Sequence, residues 1–449
     1  MKQRYALIIL PLLAGGLAAG CRGVPVAGEE SARQDVAVVA RQLTPPPELK
    51  AGARLAEAVS FALRTQPQVA AAYADWAASV EQITVERSLP DPKLTFEFYL
   101  ADTITSLMPG LAMDVPGPGK LQARGTLATA ESRVKYFQFQ TVVLQTALAV
   151  EKAFYPLHYL EERLRVNRQT LALLTGLETL ARTQDEVGKA TLQDVLRAQM
   201  EQEKLRTETV NLADSRSALM AQFKAALGLS HDQPDPPVPA AAGLADSGTN
   251  DVLQFENALR QNPQLRELAA EIAVAEAQLA VARKDRIPDF SVGGEADVKS
   301  SPVVWNPQLS MTLPVWRDKL AAERASAQDT RHAAQARLAA GQIALAADFA
   351  EQLYDLRAAE RDLTLLHDRL LPRARQALAA ARTAYASGQT DFLNVIEAER
   401  ALLNFQLDEI DAHTRCELAR AELQLLVAGV PPGTAPQLPA QRENSNPKH

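Results

Sequence analysis

The chain has 449 residues, a length that ordinarily holds two or three domains. Its formal charge is −7, from 47 basic and 54 acidic residues, and no basic block could track a phosphate backbone, which argues against a nucleic-acid partner. Two cysteines, Cys21 and Cys416, leave the fold to be held by packing rather than disulfides.

Lys2 and Arg4 are followed by the apolar run Ala6 to Ala14 and then by small residues up to Cys21, the pattern of a cleaved export signal over residues 1–20. Its removal takes the formal charge from −7 to −9, because Lys2 and Arg4 are its charged residues. Leu17-Ala18-Ala19-Gly20-Cys21 is similar to a bacterial lipobox, with Ala18 where Leu is usual. That similarity implies lipidation of Cys21 and, since Arg22 and not Asp follows, sorting to the outer membrane; a signal peptide with an incidental Cys is the alternative. Beyond the signal no apolar stretch is long enough to cross a bilayer as a helix, so any span must consist of strands.

After an N-terminal segment, residues 21–50, the chain reads as two copies of one unit, residues 51–229 and 251–430. Ala62-Leu63-Arg64 with Pro67-Gln68 recurs as Ala258-Leu259-Arg260 with Pro263-Gln264, and Leu89-Pro90-Asp91 as Ile287-Pro288-Asp289. Met113, Pro116, Lys120-Leu121, Tyr155 and Gly188 recur in the same order as Met311, Pro314, Lys319-Leu320, Tyr354 and Gly388. Residues 230–250, rich in Pro, Ala and Gly, form a linker, and 431–449 a tail.

Each copy opens with an Ala-rich helical pattern, roughly Leu55 to Arg87 and Val252 to Arg286. Two alternating runs follow. Leu94, Phe96, Phe98 and Leu100, then Leu111, Met113 and Val115, alternate with polar or small residues in the first copy. Phe290, Val292, Ala296 and Val298, then Leu309, Met311 and Leu313, do so in the second. Hairpins on a soluble core share this period, but each run approaches the ~9–11 residues that a tilted membrane strand needs. Glu97, Asp114, Glu295 and Asp297 fall on the polar face; as solvated residues lining a barrel lumen they need no reading as catalytic carboxylates.

A very long helical pattern comes next, Lys120 to Glu186 and Lys319 to Ser387. At ~1.5 Å rise per residue the first would span ~100 Å. Pro156 is expected to kink or break it, with no such defect at the counterpart Asp355. Gly188 and Gly388, each followed by N-cap candidates (Thr191; Thr390 or Asp391) and a second helical pattern, predict tight helix-to-helix turns.

No chemistry of the enzymatic kind emerges. The six histidines, at positions 158, 231, 332, 367, 413 and 449, form no pair at ligand spacing, so neither a metal site nor a cofactor is expected. Ser132-Arg133-Val134-Lys135 satisfies Ser-x-x-Lys but lies in a long helix without the other elements that acyl transfer needs.

The duplicated order of helix, strand, strand, very long helix, tight turn and shorter helix resembles the TolC family of outer-membrane efflux proteins. The residues that carry the likeness are the Ala-Leu-Arg-x-x-Pro-Gln segments, Met113-Asp114-Val115-Pro116 and Met311-Thr312-Leu313-Pro314, and the two glycine turns followed by Asp194-Val195-Leu196 and Asn394-Val395-Ile396. Gly117-Pro118-Gly119-Lys120-Leu121 is similar to sequences of the heavy-metal-cation branch.

The resemblance implies a mainly α fold with a small β part: a homotrimer whose strands share one transmembrane β-barrel, continued by a long α-helical periplasmic barrel. It implies a lipid-anchored outer-membrane duct that conducts passively and works with a periplasmic adaptor and an inner-membrane pump. Val187, Gly188, Lys189, Ser387, Gly388 and Gln389 then become the adaptor-docking turns, although plain helix turns would account for the glycines. Asp194, Asn394 and Glu397 match the positions of a periplasmic gate by spacing, with Asn394 where some relatives carry Asp. The competing reading is a periplasmic coiled-coil adaptor or scaffold lipoprotein.

Overall fold

The computed structural model describes residues 24–43, 48–100, 104–239 and 251–427. Cys21 and the signal, linker residues 240–250 and the tail from 431 lie outside these residues. The order is α1 (Glu29–Gln42), α2 (Leu55–Thr65), α3 (Pro67–Arg87), β1 (Lys93–Leu100), β2 (Ile104–Val115), α4 (Lys120–Glu186) and α5 (Leu192–Ala226). Then come α6 (Asp251–Gln261), α7 (Pro263–Lys284), β3 (Phe290–Asp297), β4 (Val304–Met311), α8 (Arg317–Leu365), a π-helical turn (Leu366–Leu370), α9 (Leu371–Ala386) and α10 (Phe392–Val427). The fold is therefore mainly α with one small sheet, and among the described residues no helix is long and apolar enough to cross a membrane.

The chain divides into two compact units. Among the described residues, one comprises those of 24–37, 74–136 and 267–337 and contains the sheet; the other comprises those of 38–73, 137–266 and 338–427 and contains both helix-to-helix turns.

The helical patterns expected as single elements at Leu55–Arg87 and Val252–Arg286 each split, at Gln66 and Asn262, because a proline follows. Proline has no N–H and pushes the preceding residue out of the α region, and Gln66 sits extended at φ −70°, ψ 119°. Side chains at each break close the repeat on itself. Gln66 Nε2 donates to the carbonyl of Ala225 (3.0 Å) and Thr65 Oγ1 to that of Leu227 (2.7 Å), both at the end of α5. Asn262 Nδ2 donates to the carbonyl of Leu426 near the end of α10 (3.2 Å).

Pro156 does not interrupt α4, which runs unbroken over 67 residues. One interior proline costs ~3 kcal/mol, and here Phe154, Leu157 and Leu160 beside it are all buried and hold the helix together. The second copy, expected to be free of defects, is the one that breaks its α pattern. The N–H of Leu371 bonds back five residues to Leu366, giving a π turn just before Pro372. The extra residue in the turn absorbs the donor that Pro372 lacks.

Helix α1 was not foreseen. Its first residue, Glu29, is buried and accepts from Arg87 (Nε 2.6 Å, Nη2 3.0 Å) and Thr84 (2.9 Å) on α3, contacts that no local pattern announces. Strand β4 lies earlier than its alternation suggested and stops at Met311, leaving Leu313 outside the ladder.

Candidate functional site

The four strands form an antiparallel meander, β1-β2-β3-β4, whose register fixes the face of every residue. Leu94 lies opposite Leu111 and Phe96 opposite Pro109; Met113 opposite Val292 and Val115 opposite Phe290; Val292 opposite Leu309 and Ala296 opposite Trp305. Opposed residues share a face, so one face is a continuous apolar sheet from Leu94 to Met311. The other carries Lys93, Thr95, Glu97, Asp114, Ser291, Glu295, Asp297, Asn306, Gln308 and Ser310, with Met108, Ala112 and Val304 among its apolar members.

The apolar face stands open, which a hairpin packed on a soluble core would not allow. Phe96 is 56% exposed, Trp305 74% and Leu309 75%, whereas Glu295 on the polar face is only 7% exposed. All four carboxylates expected on the wet face share that face, but in different states. Glu97 is exposed. Asp114 pairs with Lys93 Nζ at 2.9 Å. Asp297 accepts from the N–H of Lys299 (3.0 Å) in the turn after β3. Glu295 folds over Gly110, where a Cβ would stand 2.4 Å from its Cγ, so only glycine leaves it room.

At the other site the two turns cap one four-helix bundle. Leu174, Leu177 and Ala181 of α4, Val195, Ala198 and Leu205 of α5, Leu378 and Tyr385 of α9, and Phe392, Val395 and Ile396 of α10 make a single buried cluster. The turns close identically: Lys189 N bonds Gln184 O (2.8 Å) and Gly188 N bonds Asp185 O (2.9 Å), while Gln389 N bonds Ala384 O (2.8 Å) and Gly388 N bonds Tyr385 O (2.9 Å). This double closure requires a left-handed residue, and Gly188 and Gly388 supply it at φ +74° and +76°. All six turn residues, Val187 to Lys189 and Ser387 to Gln389, are exposed.

The three residues singled out as a gate sit at the starts of α5 and α10. Asp194 Oδ2 accepts from the N–H of Thr191 (3.3 Å), which gives that carboxylate a capping task. Asn394 Nδ2 donates to Thr390 Oγ1 (2.6 Å), and Glu397 is exposed.

Sequence reasoning missed the charged residues that join the helices behind the turns. Arg400 of α10 forms an ion pair with Glu201 of α5 (Nε–Oε2 3.1 Å), which holds Glu201 below the ordinary carboxylate range. Next to it Glu399 is buried, its Oε1 has no hydrogen-bond partner, and burial and then the nearby Glu201 push its pKa up to about 7. On α4, Glu178 accepts from Gln199 and Gln202 of α5, both at 2.8 Å. Such residues look like a solvated helix face in sequence, and only their position between packed helices distinguishes them.

His413 stacks on Tyr159, His158 on Phe154, and His367 Nδ1 lies 2.7 Å from Glu409. Ser132 Oγ donates to the carbonyl of Thr129 within its helix (2.8 Å).

The outer membrane efflux protein profile matches residues 255–429, the second of the two repeats. The cobalt-zinc-cadmium resistance protein CzcC of Cupriavidus metallidurans is 24% identical over 398 residues, which cover 85% of this chain and 90% of that protein. Residues 255–429 therefore carry an outer membrane efflux protein domain. In solved structures the same fold appears in the outer membrane protein VceC of Vibrio cholerae, with a TM-score of 0.69, 17% identity and coverage of 84% of this chain and 96% of that one. The channel CusC gives a TM-score of 0.71 at 14% identity, covering 86% and 97% of the two chains. These similarities span both repeats, although the family profile spans only the second.

Proposed function

We propose that this chain is the outer-membrane channel of a tripartite efflux system, and that three copies pool their strands into one barrel continued by a helical duct. The observation that carries this is the sheet's exposed apolar face. Its apolar face is exposed and its polar face partly covered, which suits a wall with lipid outside and water inside. Its two free edges cannot stand in lipid without partners, and pooling strands between copies removes them. A periplasmic scaffold would gain nothing from such a sheet.

The finer assignments follow from this reading. Cys21 is the lipid anchor, and loss of fatty-acid labelling in Cys21→Ser is its test. The turns Val187-Gly188-Lys189 and Ser387-Gly388-Gln389 present rigid, exposed backbone to a periplasmic adaptor that links the duct to an inner-membrane pump. Glu397, with Asn394 beside it, narrows the entrance, while Asp194 serves first as a helix cap. Solute passes without covalent chemistry, and the acidic lining at Glu97, Asp114, Glu295 and Asp297 favours cations, in keeping with the metal cations named for CzcC.

The test is reconstitution of the purified protein in a planar bilayer. The expected result is a cation-preferring conductance whose reversal potential moves towards anion preference in Glu97→Arg. A protein that inserts as a trimer yet conducts nothing would sink the proposal.

A further inference from the structure

The seam between the two repeats inside the chain is closed by more than strand pairing. Asp289, just before β3, accepts from the N–H of Gly117, just after β2, at 2.8 Å, and binds Lys120 Nζ, at the start of α4, at 2.9 Å. Lys120 is buried. A Cβ on Gly117 would stand 2.4 Å from the carbonyl oxygen of Pro288, so the two segments are in tight contact. This clasp joins the exit of repeat one's second strand to the entry of repeat two's first.

The duplication supplies the same parts once more. Asp91 precedes β1 as Asp289 precedes β3, and the cations Arg317 and Lys319 follow β4 as Lys120 follows β2. Within one chain they cannot meet, because β1 and β4 are the opposite edges of the sheet. Asp91 and Arg317 are exposed, and Lys319, whose side chain is 71% exposed, reaches only Glu323 on its own helix, at 3.7 Å.

We propose that a second copy of this chain completes the clasp: β4 of one copy pairs antiparallel with β1 of the next in the register of β2 with β3, and Asp91 of that next copy grips Arg317 and Lys319. This rests on the shared barrel proposed above and adds its register and its lock. Within the chain Met113 faces Val292 and Leu111 faces Gly294. The repeats correspond here as Met113 to Met311 and Asp91 to Asp289, the same displacement for both strands. Carried over, Met311 faces the neighbouring copy's Leu94, Leu309 its Phe96, Ser310 its Thr95 and Gln308 its Glu97.

Nothing in that transfer uses side-chain type, yet it sets apolar against apolar and polar against polar at all four positions. A slip of one residue would put Leu309 against a polar residue and turn the lipid face inward. The second clasp has no counterpart of Gly117, and its turn is one residue longer, Val315-Trp316-Arg317-Asp318 before Lys319. Two flanking cations therefore stand in for the single buried Lys120.

Cysteine pairs test the register. Leu309→Cys with Phe96→Cys, oxidised mildly in outer membranes, should give covalent dimers and trimers on non-reducing gels. A bond within one chain is ruled out, since three strand spacings separate the sites by ~14 Å and a disulfide needs Cα atoms within ~7 Å. Leu309→Cys with Leu94→Cys, two residues out of register, should stay monomeric on the same gel. For the lock, Asp91→Arg should lower the yield of heat-resistant trimer, and Arg317→Glu with Lys319→Glu in the same chain should restore it. Cross-linking only by the displaced pair, or no rescue by the reversed charges, would overturn the proposed seam while leaving a shared barrel intact. Failure of wild-type protein to form trimers at all would instead overturn the reading beneath it.

Discussion

In the sheet Phe96, Trp305 and Leu309 stand more than half exposed, whereas at the helix-turn end Phe392, Val395 and Ile396 are almost wholly buried. The two regions draw on the same apolar residue types. At the tip these residues escape water by packing helix on helix, so the chain supplies its own apolar solvent. In the sheet they point away from the chain, which is stable only if something other than water receives them. The tip is finished as a monomer; on the proposed function the sheet is finished by a bilayer and by further copies.

The largest effect expected from this contrast is at the tip. Phe392→Ala removes a fully buried ring and should cost ~3–5 kcal/mol, read as a lowered thermal transition of the helical signal in detergent. Phe96→Ala, which opens no cavity, should leave that transition nearly unmoved. Equal losses would mean that Phe96 is buried in the working protein and that the contrast is false. Next in size is a pair of neighbours. Arg at a lipid-facing midplane position costs ~2–4 kcal/mol, while lumen positions tolerate charge. Phe96→Arg should therefore sharply reduce trimer in the outer membrane, with the change present in every copy, whereas Glu97→Arg should assemble. Val292→Arg against Glu295→Gln should repeat the asymmetry, and equal trimer yields for Phe96→Arg and Glu97→Arg would deny that β1 faces lipid.

The same contrast explains what could be read from the sequence. The strands and the duplication were legible because alternation of period two and a recurring Leu/Ile-Pro-Asp are local signals. The turns were legible because a left-handed residue there has to be glycine. What stayed hidden depends on partners far along the chain. Helix α1 is fixed by Glu29 meeting Arg87 and Thr84 more than fifty residues away. Pro156 and Pro372 carry the same local signal, yet one is held in an α-helix by buried neighbours and the other ends a π turn. Glu399 looks like any exposed helix carboxylate until α5 is packed over it.

That buried carboxyl gives the tip a pH dependence of its own. The folded state raises Glu399 from its ordinary 4.5 to about 7, so it binds a proton more tightly than the unfolded chain does. The associated stability is present in full below the ordinary value and is lost as pH rises through about 7, by at most ~3 kcal/mol per copy. Glu399→Gln should flatten the fall in thermal stability between mildly acidic and mildly alkaline buffer, with Glu201 and Arg400 left paired. Glu151, also raised to about 7 by burial and by Glu417, should supply the slope that remains. An unchanged slope in Glu399→Gln would show that water reaches this carboxyl.

The smallest expected effect on stability concerns the turn itself and separates folding from docking. A Cβ on Gly388 meets nothing within 4 Å, so a side chain there costs backbone strain at φ +76° and no collision. For a β-branched residue that strain is ~1–2 kcal/mol, whereas Asn tolerates the left-handed region. Gly388→Val should therefore shift the Ser387-Gly388-Gln389 backbone and lower efflux in cells while trimer yield and planar-bilayer conductance stay normal. Gly388→Asn should keep the backbone and most of the efflux. The comparison that decides is efflux against conductance in the same two variants, because conductance needs no adaptor and efflux does. Loss of both in Gly388→Val would make the turn part of the folding of the tip, and normal efflux in Gly388→Val would remove this turn from the docking surface.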